Sequence, residues 1–195
     1  FALGVTCNVI AAEEYRSTGF SVATMREASF HGIDSMEDRF NKALDLLAQN
    51  EDSINYLYVP ELDKFGHLHG WEGPGWSLVL EEIAGLIDRL VSKLPRDTGL
   101  VVTADHGMID TTDDLRHELA SDLARFDLKY VGGDTRASYL YLENSSESSA
   151  LITELSGHSA FSAFEASAFE SWLGPISSLS RDRMPDLVLL ARGSF

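Results

Sequence analysis

Residues 54–70 read INYLYVPELDKFGHLHG, and this stretch contains the first of two strand-to-loop transitions that decide the fold. The run from Ile54 to Val59 is rich in β-branched and aromatic residues, which predicts a strand buried on both faces. The segment that follows carries Asp63 and His67. Side chains four residues apart lie on the same side of a helical turn, so this pair is suited to share a ligand.

A second transition of the same kind follows later in the chain. Residues 99–103 read GLVVT, which predicts another buried strand, and residues 104–108 read ADHGM. Asp105 and His106 therefore also follow a predicted strand. Adjacent side chains in such a turn can reach two sides of one ion or bridge two neighbouring ions, and we expect Gly66 and Gly107 to let the backbone turn tightly there.

The segments around these motifs alternate between strand and helix patterns. Apolar residues recur at three- and four-residue spacing over 77–94, which predicts an amphipathic helix closed by Pro95. Ser35 is a suitable cap for a helix through Gln49. The remaining predicted elements are strands at 5–10, 136–143 and 186–191 and helices at 112–126 and 146–155. We therefore expect one α/β domain over residues 1–195, with a mainly parallel sheet and helices on both faces. Ligands of such sheets bind beyond the carboxyl ends of the strands, where both motifs lie.

Composition limits the kinds of partner. The net charge of -16 argues against a nucleic-acid scaffold or an anionic membrane surface as partner, although solubility alone also explains it. Cys7 is the single cysteine, so a metal site has to use Asp, Glu and His instead of thiolates. No apolar run reaches the roughly 18 residues of a membrane span and no signal peptide is visible, which gives a cytoplasmic expectation. Oligomeric state is not indicated.

Either motif alone is a common surface pattern, but the two together resemble a known family. The first motif has the form Y-x-x-E-x-D-x-x-G-H-x-x-G (Tyr58, Glu61, Asp63, Gly66, His67, Gly70), and TADHGM follows at 103–108. The pair resembles the type I phosphodiesterase/nucleotide pyrophosphatase branch of the alkaline phosphatase superfamily. The resemblance implies an alkaline-phosphatase-like core with two divalent metal ions, usually zinc. Asp63 and His67 would bind the first ion, Asp105 and His106 the second, and the substrate would be a small phosphorylated molecule.

The chain also departs from the family pattern. The family uses an Asp after its first strand, a Thr or Ser nucleophile on the next helix, and a late His followed by Gly. These have no counterpart at the matching positions here, so the resemblance implies a core truncated at both ends and inactive by itself. His158 precedes the final strand and does not match the late His, and His117 is predicted to lie on a helix surface. The alternatives are another superfamily branch (phosphomutase, sulfatase or phosphonate hydrolase) and a non-catalytic metal-binding or interaction domain.

Overall fold

The computed structural model describes residues 4–49 and 52–195. The chain divides into two compact units, an N-terminal unit that ends at Ile109 and a C-terminal unit that begins at Asp110. The expectation of a single domain over 1–195 stays a prediction. The strands are β1 (Thr6–Ala11), β2 (Ser29–Gly32), β3 (Ser53–Leu57), β4 (Leu128–Asp134), β5 (Ala137–Leu142), β6 (Phe161–Glu165) and β7 (Leu187–Ala191). The α-helices are α1 (Gly19–Thr24), α2 (Met36–Leu47), α3 (Glu61–His69), α4 (Pro74–Ser92), α5 (Ala120–Leu123), α6 (Ser148–Leu155), α7 (Glu170–Leu173) and α8 (Ser178–Arg181).

A parallel sheet of order β2-β1-β3 organises the N-terminal unit. The sheet packs against α2 and α4 because both helices present apolar stripes. The buried cluster that results contains Ile10, Phe40, Ala43, Leu46, Leu86 and Leu90. The Ser35 hydroxyl accepts the backbone N–H of Asp38 and caps α2, as predicted. Pro74 occupies the first turn of α4, where its missing N–H costs nothing. The predicted α/β class with a parallel sheet is confirmed.

A buried arginine fixes the start of α3 against α2. The Arg39 side chain is fully buried and donates to the carbonyl oxygens of Ile33 and Asp34 at 3.1 and 3.0 Å. It also forms an ion pair with Glu61, the first residue of α3. A buried guanidinium needs such partners because an unpaired charge in the interior is costly. The pair therefore holds the beginning of α3 beside the sheet.

Two expectations about strands in this unit are wrong. β3 is partly buried on one face only, and Ile54 and Tyr56 lie on its other face, where they are 63% and 47% exposed. Residues 99–103 form no strand, and Val101 is 87% exposed. An apolar run becomes a strand only when a neighbouring strand pairs with it, and no described strand pairs with this run.

An antiparallel sheet of order β4-β5-β7-β6 organises the C-terminal unit. Its β5 and β7 and the adjoining α6 confirm the elements predicted over 136–143, 186–191 and 146–155, while β4 and β6 were not predicted. The core contains Leu140, Leu151, Phe161 and Leu187.

The helix predicted over 112–126 is wrong in extent. It is reduced to a 3₁₀ turn at Asp113–Leu115 and the short α5. Arg116 has extended backbone dihedrals, which interrupt the helical pattern and place His117 beside Asp122. Within the described residues, the helices are all too short or too polar to cross a membrane.

Candidate metal centre

Helix α3 presents the first predicted pair of ligands on one side. Asp63 and His67 are one helical turn apart, and Nε2 of His67 lies 3.3 Å from Oδ1 of Asp63. Gly70 ends the helix with a φ of 77°, a conformation that favours glycine. The strand-to-helix transition after β3 therefore places both side chains together, as the spacing predicts.

The segment at 104–108 brings the second pair to the first. Nε2 of His106 lies 3.9 Å from Oδ1 of Asp63 and 3.8 Å from Oδ2 of Asp105. Among the described residues, Asp63 and Asp105 form their ion pairs with these histidines and not with Lys or Arg. The structure thus gathers all four predicted ligands, Asp63, His67, Asp105 and His106, in the N-terminal unit.

The tautomer of His106 determines what its Nε2 can do. Nδ1 lies 2.7 Å from the carbonyl oxygen of Gly107. A carbonyl can only accept, so Nδ1 carries the proton and the neutral ring keeps its lone pair on Nε2. A hydrogen bond from Nδ1–H to a backbone carbonyl is the usual way in which a protein orients a metal-binding histidine. His106 is therefore in the ligand tautomer, with Nε2 toward the carboxylates.

The Asp63 carboxylate and the neutral His106 imidazole both offer electron pairs that a metal ion can accept. The Oδ1 atom of Asp63 is buried and accepts no hydrogen bond from the described part of the chain. The lone pair of His106 Nε2 faces this oxygen, and two acceptors in that relation do not stabilise each other. Divalent cations bound at these groups would satisfy both, and carboxylate oxygen with imidazole nitrogen is a donor set that zinc accepts. The residues present therefore fit a metal ion.

Tyr58 lies close to the carboxylates of the candidate site. Burial raises the pKa of Tyr58 above its ordinary value. Its neighbours Tyr15 and Tyr56 and the carboxylates of Asp105 and Asp63 raise the pKa further. Tyr58 also packs edge-on against Tyr15, with ring centroids 5.3 Å apart. The phenol thus stays neutral beside the carboxylates.

The nearest lysine in sequence is engaged elsewhere. Lys64 follows Asp63 directly, yet its ammonium donates to Glu14 at 2.6 Å and lies over the ring of Tyr15. The hydrogen bond to Glu14, reinforced by Tyr15, raises the pKa of Lys64 above its ordinary value. Lys64 therefore pairs with Glu14, whereas the described ion pairs of Asp63 are with His67 and His106.

A second histidine cluster, in the C-terminal unit, was not predicted. Within the described residues, His117, Asp122 and His158 are the group whose three ligand atoms all lie within 4.8 Å of one another. Nε2 of His117 is 2.6 Å from Oδ2 of Asp122, and Nε2 of His158 is 3.7 Å from Oδ1. The sequence does not indicate this cluster, because His158 is distant from His117 in the chain and the pattern around His117 predicts a helix surface.

The tautomer of His158 argues against a metal at this second cluster. The backbone N–H of Ala160 donates to Nδ1 of His158 at 3.2 Å. Nδ1 is therefore the acceptor, and in the neutral ring the proton lies on Nε2, toward Asp122. A metal ion bound to Nε2 would displace that proton. The neutral ring would then carry its proton on Nδ1, where it would face the N–H of Ala160. The cluster fits a hydrogen-bonded carboxylate between two imidazoles better than it fits a metal site.

Comparison with known proteins agrees with the fold and with the family that the sequence resembles. A sequence profile described as type I phosphodiesterase / nucleotide pyrophosphatase matches residues 4–195. No curated protein matches the chain by sequence. Among solved structures, murine ectonucleotide pyrophosphatase / phosphodiesterase 5 superposes with a TM-score of 0.64 at 17% identity, over 100% of this chain and 52% of that one.

Two further structures of the same kind are similar to the chain. An inactive variant of the murine protein in complex with AMP gives a TM-score of 0.63 at 18% identity. The human protein gives 0.61 at 17% identity. Each covers 100% of this chain, which spans 52% of the other protein in both cases. The chain thus spans about half the length of the solved structures that it matches, and at this identity the likeness establishes the fold.

Proposed function

The chain belongs to the type I phosphodiesterase / nucleotide pyrophosphatase family, and on that premise we propose that it carries the metal-binding part of a hydrolase for phosphodiester or nucleotide pyrophosphate bonds. In this proposal Asp63 and His67 bind one divalent ion, and Asp105 and His106 bind a second. Zinc is the proposed metal for both ions. The family match favours this activity over that of a phosphomutase, a sulfatase or a phosphonate hydrolase.

The observation that supports the proposal most directly is the relation between Asp63 and His106. A buried carboxylate oxygen without a hydrogen bond faces an imidazole nitrogen whose lone pair is directed toward it. A bound divalent cation would make this arrangement favourable. His67 approaches the same oxygen from the next turn of α3, so Asp63 contacts a histidine from each of the two motifs.

Each group has a distinct part in this proposal. Paired divalent ions, when bound, stabilise the attacking and leaving oxygens of a phosphoryl group. Asp63 and Asp105 supply the negative charge that holds the ions, while His67 and His106 supply neutral donors. The Gly107 carbonyl keeps the His106 proton on Nδ1. The chain has no assigned nucleophile, so we expect it to bind metal without turnover by itself.

Zinc titration of the 195-residue chain by calorimetry tests the metal site. We expect Asp63→Ala and Asp105→Ala to weaken zinc binding more than about 10-fold each, as loss of a ligand should. The matched control is Asp88→Ala, an exposed carboxylate on α4 outside the site. Equal affinities for wild type, Asp63→Ala and Asp105→Ala would overturn the assignment of the ligands.

Activity is tested on the chain and on any longer natural protein that contains it. We expect hydrolysis of a p-nitrophenyl nucleotide ester by the longer protein, with loss of activity on chelation of the metal and in Asp63→Ala. Zinc binding that depends on Asp63, together with no hydrolysis of phosphodiester or pyrophosphate bonds, would instead favour a non-catalytic metal-binding domain.

A further inference from the structure

Helix α3 buries one of its residues, and that residue is a glycine inside the ligand motif. Gly66 is buried between Asp63 and His67, which are half-exposed and exposed. A Cβ atom on Gly66 would overlap Sδ of Met108 and lie 2.8 Å from its Cε. The thioether of Met108 therefore rests directly on the backbone of α3. The sequence suggested a tight turn at Gly66, but the residue lies within a helix and its role is close packing.

Met108 belongs to the segment that carries Asp105 and His106. Thr103 donates to the Ala104 carbonyl and His106 to the Gly107 carbonyl, and both hydrogen bonds lie within this segment. The residues before it form no strand. Packing of Met108 on Gly66 is thus a contact that ties this otherwise exposed segment to α3.

We propose that Gly66 and Met108 are positioning residues, whose contact holds Asp105 and His106 against Asp63 and His67. This inference rests on the proposed metal site. The two residues touch neither metal nor substrate. They act by fixing the separation between the two pairs of ligands, to which metal affinity is sensitive.

Metal affinity and folding stability should respond differently to a methyl group on Gly66. The atoms that it would displace are the far end of a flexible side chain, so Met108 can swing away at small cost to the fold. Alanine also has a higher helix propensity than glycine. Gly66→Ala should therefore fold at least as well as wild type. The segment with Asp105 and His106 should nevertheless lose its contact with α3. A purely structural role would not produce weaker zinc binding together with unchanged folding stability.

A double-mutant cycle read by zinc calorimetry tests the inference. We expect Gly66→Ala to weaken zinc binding on the order of 10- to 100-fold, the range observed when residues that orient ligands are lost. In a Met108→Ala background, which lacks both displaced atoms, the same substitution should cost nothing. Gly85→Ala is the matched control, since a Cβ on this other helical glycine meets nothing within 4 Å. Zinc binding of Gly66→Ala equal to wild type, or a penalty that persists without Met108, would overturn the inference.

A measurement without metal separates this inference from the proposed function. Selective methyl labelling of the four methionines allows the contact between the Met108 ε-methyl and the Gly66 α-protons to be observed by NMR. We expect this contact in metal-free wild type and its loss in Gly66→Ala. Its absence from wild type overturns the positioning role, whereas its presence in a protein that binds no zinc overturns the proposed function.

Discussion

Nε2 of His106 lies 3.9 Å from Oδ1 of Asp63, although the whole of α4 separates the two residues in sequence. The His106 proton is held on Nδ1 by the Gly107 carbonyl, so the two atoms that face each other both offer electron pairs. A divalent cation bound at these groups would satisfy both, because carboxylate oxygen and imidazole nitrogen are ligands of zinc. The pair therefore joins the two sequence motifs into one site.

The first prediction follows from this pair. We expect His106→Gln to weaken zinc binding by more than about 10-fold, because the amide is a much poorer zinc ligand than the imidazole. His69→Gln is the control, because the His69 ring packs against Phe65 with centroids 4.6 Å apart. Calorimetric titration of both variants is the measurement. Comparable losses in the two variants would contradict the assignment of His106.

The sequence predicts the part of the site that depends on residues close to one another in the chain. Strand propensity before Asp63, together with the four-residue spacing to His67, is enough to place that pair on one side of α3. The contact of Met108 with Gly66 depends instead on how two segments meet, and a glycine in a sequence does not reveal which side chain will cover it. The run at 99–103 failed as a predicted strand for the same reason, since its apolar composition carries no information about a pairing partner.

A second prediction concerns the ion pair between Arg39 and Glu61. We expect Glu61→Gln to lower the free energy of unfolding by about 2–3 kcal/mol, because it leaves a fully buried guanidinium without its counter-charge. Urea unfolding followed by circular dichroism measures this. Glu37→Gln is the matched control, because it breaks the exposed pair with Arg89 and should cost less than about 1 kcal/mol. Equal effects would show that burial of Arg39 does not set the cost.

A third prediction concerns pH and the polar contacts that cross the parallel sheet. Nε2 of His31 lies 3.1 Å from Oδ1 of Asn8, whose amide donates to Asn55 at 2.9 Å. Burial holds the pKa of His31 below its ordinary value of 6.5, and the positive charges of Lys42 and Arg16 lower it further. The unfolded chain therefore takes up the His31 proton at a higher pH than the folded chain does.

The sign of the pH effect follows from this difference. Between the lowered pKa of folded His31 and 6.5, the unfolded state binds more protons, so stability falls as pH decreases through that window. We expect His31→Gln, which keeps a donor for Asn8, to have a shallower decrease in urea midpoint between about pH 7.5 and about pH 5. A variant with the same pH dependence as wild type would exclude His31 as the source.

The last prediction distinguishes the two histidine clusters. His117, Asp122 and His158 have the closer ligand atoms, and distance alone would favour them as the metal site. The proton positions favour the opposite conclusion, because Ala160 fixes the proton of neutral His158 on the nitrogen that faces Asp122. We therefore expect Asp122→Asn to leave zinc affinity and stoichiometry unchanged, while Asp63→Asn weakens binding.

The same variant should have a cost in stability. Asp122 is half-buried and lies 2.6 Å from Nε2 of His117, and the ring of His158 stacks on Phe161 at 4.1 Å. Loss of the carboxylate charge should lower the free energy of unfolding by about 1–2 kcal/mol, as expected for a charged hydrogen bond. Zinc stoichiometry that falls in Asp122→Asn would show that this cluster binds metal after all. Because the proton positions are the basis for choosing between the clusters, that result would also remove the main support for His106 as a ligand.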